Sequence, residues 1–93
     1  MKAEQLLDER LILSSRAFVE LVIWRVPQPI RASTHQYKYR LAYVANGVCV
    51  LRFDNEAGKG DHKHVADVEV PYEFIDLGTL QADFWSAVKA RRR

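Results

Sequence analysis

Tyr37-Lys38-Tyr39-Arg40-Leu41-Ala42-Tyr43-Val44-Ala45-Asn46-Gly47-Val48-Cys49-Val50-Leu51-Arg52-Phe53-Asp54 is the stretch on which the fold turns. Two runs rich in β-branched and aromatic residues flank Asn46-Gly47, and both central residues tolerate the φ > 0 that a two-residue hairpin turn requires. The segment reads as an antiparallel hairpin, Tyr37–Ala45 against Val48–Asp54. With Ala45 paired to Val48, Tyr43 falls opposite Val50, Leu41 opposite Arg52 and Tyr39 opposite Asp54. Val44, Ala42, Cys49, Leu51 and Phe53 then share the drier face, which should meet the core. One bulge would exchange the two faces.

On the N-terminal side, Ala17–Val26 reads as a strand that Pro27 and Pro29 end, since neither can donate to a ladder. Ala3–Arg10 has helix-compatible composition, or leads straight into a first strand around Arg10–Leu13. The polar segment Gln28–Gln36 is expected to be a mobile loop. On the C-terminal side, Val65–Val70 reads as one further strand closed by Pro71. Asp76 reads as a helix N-cap, with Leu77, Leu80, Phe84 and Val88 along one face and Ile75 packing on Leu80 as a hydrophobic staple. Trp85 widens that stripe, and Lys89, Arg91, Arg92 and Arg93 favour the helix's negative end. These elements predict an α+β domain: an antiparallel sheet of about four to five strands, a C-terminal helix on one face, and a short N-terminal helix as an alternative start.

The chain has 93 residues and a formal net charge of +2, with a single cysteine. That length suits one domain, residues 1–93, and the charge is too small to name a partner by itself. No export signal or membrane-spanning run is read, and one cysteine forms no internal disulfide, so a cytoplasmic location is expected. Cys49 is expected to be a small core residue. The charge distribution says more. No Asp or Glu falls between Leu21 and Phe53, where Arg25, Arg31, Lys38, Arg40 and Arg52 lie among Trp24, Tyr37, Tyr39 and Tyr43. Cations and aromatics on one sheet suit unpaired RNA, although ordinary strand packing explains aromatics equally well. Dimerisation is a further expectation, because both faces of the central hairpin carry apolar residues and one helix covers only one.

The chemistry concentrates in Arg52-Phe53-Asp54-Asn55-Glu56-Ala57-Gly58-Lys59-Gly60-Asp61-His62-Lys63-His64, which holds two of the three histidines and two of the four glycines. Gly58 and Gly60 can turn the backbone and offer N–H groups to an anion, and Lys59 adds charge. His62 and His64 point the same way on an extended segment, with Lys63 opposite, so they can divide acid–base work on one phosphate. The candidate catalytic set is His62, His64, Arg52, Asp54 and Lys59, with Asp54 or Asp61 orienting an imidazole. Arg40, Lys38, Tyr39, Asn55, Lys63 and His35 are the candidate substrate-binding set. Metal-free RNA cleavage, with no cofactor, is the first reading. A zinc or manganese site built from His62, His64 and Asp54 or Asp61 is weaker, because His-x-His often arises by chance. A non-catalytic module gripping nucleic acid, a nucleotide or a protein through the same loop is the alternative. Against a purely structural turn stands the length of the connection Asp54–His64, since long loops in small domains are usually functional or disordered.

Tyr39-Arg40-Leu41, then Arg52-Phe53-Asp54-Asn55, then His62-Lys63-His64 resemble the TumE-type toxins of prokaryotic toxin–antitoxin pairs. The likeness runs from Leu11–Val26 to Phe84-Trp85. Many members carry a denser histidine loop, and Glu56-Ala57-Gly58-Lys59-Gly60-Asp61 departs from it. The resemblance implies a cytoplasmic toxin that acts on RNA or translation, and an antitoxin partner that often carries a helix-turn-helix domain.

Overall fold

The computed structural model describes residues 2–92. Its elements are β1 (Glu4–Ser14), β2 (Ala17–Arg25), β3 (Tyr37–Ala45), β4 (Val48–Glu56), β5 (Gly60–Val65), β6 (Val68–Pro71) and α1 (Leu77–Arg91). The strands form one antiparallel meander in sequence order, β1 to β6, so the sheet has six strands where about four to five were expected. Two readings account for the difference. The segment read as a single strand, Val65–Val70, turns at Ala66-Asp67, where Ala66 takes φ 56°. The N-terminal stretch forms a strand: its helix-compatible composition yields to the ladder offered by β2, where Asp8 pairs with Val22 and Arg10 with Glu20.

The Asn46-Gly47 turn forms as the sequence predicts, with Ala45 against Val48. The facing changes because Val50 is the extra residue of a bulge: Tyr43 pairs with Leu51, Leu41 with Phe53 and Arg40 with Asp54. Leu51 and Phe53 keep their place in the core, but Tyr39, Leu41 and Tyr43 join them there in place of Ala42 and Val44. The apolar members of β2 (Val19, Leu21 and Ile23) complete the sheet's side, and Leu80, Phe84 and Val88 of α1 pack on it. Phe84 meets Phe53 edge-on, with centroids 5.7 Å apart. Asp76 caps α1 by accepting from the Thr79 N–H at 2.7 Å. Ile75 does not form a staple, since it is 66% exposed. Arg93 of the basic tail lies outside the described residues.

Two other expectations are corrected. The polar segment before β3 is tied down rather than mobile: the Gly58 N–H donates to the Arg31 carbonyl, and Ser33 and His35 both bond Asp61. Cys49 is exposed near the hairpin tip. Register places Asp8, Arg10, Glu20, Lys38, Arg40, Ala42, Arg52, Asp54, His62, His64 and Glu69 on the side of the sheet opposite α1. The hairpin's second face thus sets Lys38, Arg40, Arg52 and Asp54 beside Ala42 and Val44, and β1 and β2 add Ile12, Phe18, Val22 and Trp24 to the same side of the sheet.

Candidate functional site

Much of the stretch read as a loop is paired strand. β4 runs to Glu56 and β5 begins at Gly60, leaving a tight turn between them. The polar residues Asp54, Asn55 and His62 are buried within this hairpin. Burial of polar groups requires partners, and the two faces of the hairpin supply them differently.

On the α1 side the partners form a closed network. Asp61 accepts from Ser33 Oγ at 2.7 Å and from the Tyr39 hydroxyl at 2.7 Å, and lies 2.6 Å from His35 Nε2. His35 Nδ1 accepts the Tyr37 N–H at 3.2 Å, which fixes the proton of a neutral ring on Nε2, facing Asp61. Both ring nitrogens are therefore engaged, and Phe74 stacks on the ring at 3.8 Å. Asn55 is fully buried; its Oδ1 accepts the Tyr39 N–H, while its Nδ2 donates to the Tyr37 carbonyl and Ser33 Oγ. From the opposite side of the sheet, Lys38 Nζ donates to the Asn55 carbonyl. Burial, then the hydrogen bond to Asp61, pushes the Tyr39 phenol far above its ordinary range, so it acts only as a donor. This network sews the segment before β3 onto the end of the sheet that α1 leaves uncovered. Asp61 does orient an imidazole, but it is that of His35. Tyr39, Asn55 and His35, expected to face substrate, are spent on the fold. Lys63 also leaves the site, its Nζ lying 5.9 Å from the Phe53 ring centroid on the α1 side.

The Gly58-Lys59-Gly60 turn is not an anion cradle either. Its Gly58 N–H serves Arg31 and its Lys59 N–H serves the Glu56 carbonyl at 3.0 Å. Glycine at 60 is required by φ 75° and by the Ala32 carbonyl oxygen, 2.7 Å from where a Cβ would stand.

The opposite side of the hairpin gathers the remaining candidates. Antiparallel pairing sets His62 against Asp54, His64 against Arg52 and His64 against Glu69. His62 Nε2 lies 2.7 Å from Asp54 Oδ1 and 3.4 Å from Glu69 Oε1, and His64 Nε2 lies 2.7 Å from the same Glu69 oxygen. Arg52 Nε is 3.2 Å from Asp54 Oδ2, and Lys59 Nζ is 3.5 Å from Glu69 Oε1. The two imidazoles sit edge to face at 5.4 Å. Desolvation acts to raise the Glu69 carboxyl, but Lys59, His62 and His64 together hold it below the ordinary range. Lys59, His62 and Glu69 line a cleft of about 150 Å³ with Asp61, Val70 and Pro71. A larger hollow of about 570 Å³ lies around Ile12, Arg16 and Gly47, with no acid–base cluster in its wall.

All five candidate catalytic residues thus assemble on one face, with Arg40 paired to Asp54 along the register. Glu69 is the member that sequence reasoning missed. Only the Ala66-Asp67 turn brings it beside His64, and neither residue is a strong turn signal. Among the described residues, two ligand sets, His62–His64–Glu69 and Asp54–Glu56–His62, have atoms close enough together to hold a metal ion. No helix is long and apolar enough to cross a membrane among the described residues.

No curated protein and no solved structure matches this chain. A family profile described as Toxin TumE matches residues 2–92. A match over nearly the full length decides the matter, and the chain belongs to the TumE toxin family.

Proposed function

We propose that this chain is the toxin of a toxin–antitoxin pair and acts in the cytoplasm by cleaving RNA without a resident metal. The observation that carries the reading is the convergence of His62, His64, Asp54, Arg52 and Lys59 on the open sheet face, around the Glu69 carboxylate. Cleavage of RNA needs a base for the 2′-OH, an acid for the departing 5′-oxygen, and cations beside the phosphorane. His64, the more open imidazole at 31% side-chain exposure, takes the 2′ proton. His62 returns a proton to the 5′-oxygen. Asp54 and Glu69 orient the rings, and Arg52 and Lys59 neutralise the charge that develops on phosphorus. The products are a 2′,3′-cyclic phosphate and a 5′-hydroxyl. Arg40 and Arg52 offer phosphate contacts along the open face. The cognate antitoxin, a helix-turn-helix protein in this reading, restrains the activity.

Inducible expression of wild type and of His62→Ala, His64→Ala tests the reading. Growth arrest in the wild type alone, with fragments carrying cyclic-phosphate ends, is expected. Full toxicity in the double variant would sink the mechanism. Arrest by the wild type with intact RNA would favour a protein that binds its target without cutting it.

A further inference from the structure

We infer that His62, His64 and Glu69 form a binding site for one divalent transition-metal ion, for which zinc is the test ion. The tautomer of His62 leads there. Its Nδ1 lies 3.1 Å from the Gly60 carbonyl, which can only accept, so Nδ1 carries a proton. The other nitrogen, Nε2, faces oxygens of two carboxylates, Asp54 at 2.7 Å and Glu69 at 3.4 Å. A bare lone pair held against two carboxylates is repelled by both. Something positive belongs at that point, a proton or a cation. Either suits the short contacts, and Nε2 of His62 makes no well-directed hydrogen bond in this geometry. Nε2 of His64, Oδ1 of Asp54 and Nε of Arg52 are likewise buried without hydrogen-bond partners. The His62 side chain is 5% exposed.

A cation uses the same features. Both Nε2 atoms approach one Glu69 oxygen, and the three ligand atoms lie within 4.8 Å of one another. Metal-ligating histidines commonly donate their second N–H to a backbone carbonyl, as His62 does to Gly60. Two imidazole nitrogens and a carboxylate suit zinc and its neighbours, whereas calcium and magnesium prefer oxygen donors throughout. His64 and Glu69 are 31% and 38% exposed, which gives an ion and its water a route in. Lys59 competes for Glu69, but its side chain is 55% exposed and free to swing away.

The inference concerns the site of the proposed ribonuclease, and rests on that reading for one consequence only. An imidazole nitrogen that ligates zinc is unavailable for proton transfer, so zinc holds a metal-free ribonuclease off. Full-length untagged protein, stripped with a chelator, is titrated with zinc chloride and then assayed for RNA cleavage. About one zinc per chain is expected, with affinity at least ~10-fold weaker in His64→Ala and in Glu69→Gln. Zinc should raise the melting temperature of the wild type more than that of either variant, which also shows whether the variants fold. No stoichiometric binding, or equal affinity in wild type and both variants, overturns the site. Cleavage by stripped protein that zinc suppresses supports site and consequence together. Zinc binding without any cleavage leaves the site standing and removes the ribonuclease.

Discussion

Asn55 shows how a residue with the right chemistry for a ligand can serve the chain instead. Both ends of its amide are used inside the protein, on the Tyr39 N–H and on the Tyr37 carbonyl. Asn55→Ala strands both backbone groups away from water. At roughly 1–3 kcal/mol for each buried group left unpaired, urea unfolding should show a loss of about 2–6 kcal/mol. Gly60→Ala adds positive-φ strain to a collision with the Ala32 carbonyl, and should cost about 1–3 kcal/mol in the same assay. Both effects belong to folding, so binding measured on the folded fraction should be unchanged. A surviving fold of full stability would contradict these assignments. Asp54 and His62 were readable as chemistry because imidazoles, acids, cations and glycines crowd into the one stretch from Arg52 to His64. Which polar residue of the hairpin faces which side was not readable, because alternation gives opposite sides without saying which is covered. The segment before β3 and Phe74 cover one side, and local sequence carries no sign of that long-range contact.

At the level of elements, the strands of the central hairpin and the final helix were legible because periodicity and end signals agree there. Asn46-Gly47 sets the turn, and Asp76 followed by Leu80, Phe84 and Val88 sets the helix. The bulge at Val50 was not legible, since one extra residue leaves composition untouched and moves every partner beyond it. Phe84 is fully buried against Phe53, so Phe84→Ala should destabilise by about 3–5 kcal/mol and free the helix from the sheet. Loss of near-ultraviolet signal before the far-ultraviolet strand signal would report that detachment. The cap gives a pH test. Bonds from Thr79, first its backbone N–H and then its hydroxyl, hold the Asp76 carboxyl below its ordinary range despite some desolvation. A depressed folded pKa contributes stability above the unfolded value, near 3.9, that is lost as pH falls through the folded value. Asp76→Ala should therefore be less stable than wild type at neutral pH, and the gap should close in acid. A gap that stayed constant down to pH ~2 would remove the cap from the account.

The whole molecule is a sheet with unequal faces: α1 and the segment before β3 cover one, and the other carries charges with apolar residues between them. Across that open face Arg40 stands beside Asp54 in the register, and its guanidinium reaches Glu20 only at 3.8 Å. Arg52, by contrast, lies against Asp54 in the candidate site. This arrangement separates binding from chemistry. If RNA crosses the open face to reach His62 and His64, Arg40 meets phosphate before the reacting centre does. Arg40→Gln should then weaken binding of a single-stranded RNA and lower the slope of log affinity against log salt by roughly 0.7, the contribution of one phosphate contact on a single strand. The rate of cleavage at saturating RNA should stay close to wild type, because Arg40 touches none of the imidazoles. His64→Ala should do the reverse, keeping the salt slope and losing the cut. Fluorescence anisotropy across a salt series, paired with cleavage at saturation, reads both quantities on the same protein. Equal slopes in wild type and Arg40→Gln would mean that RNA does not travel over this face. The site would then have to be approached from the Lys59 side, along the turn between β4 and β5.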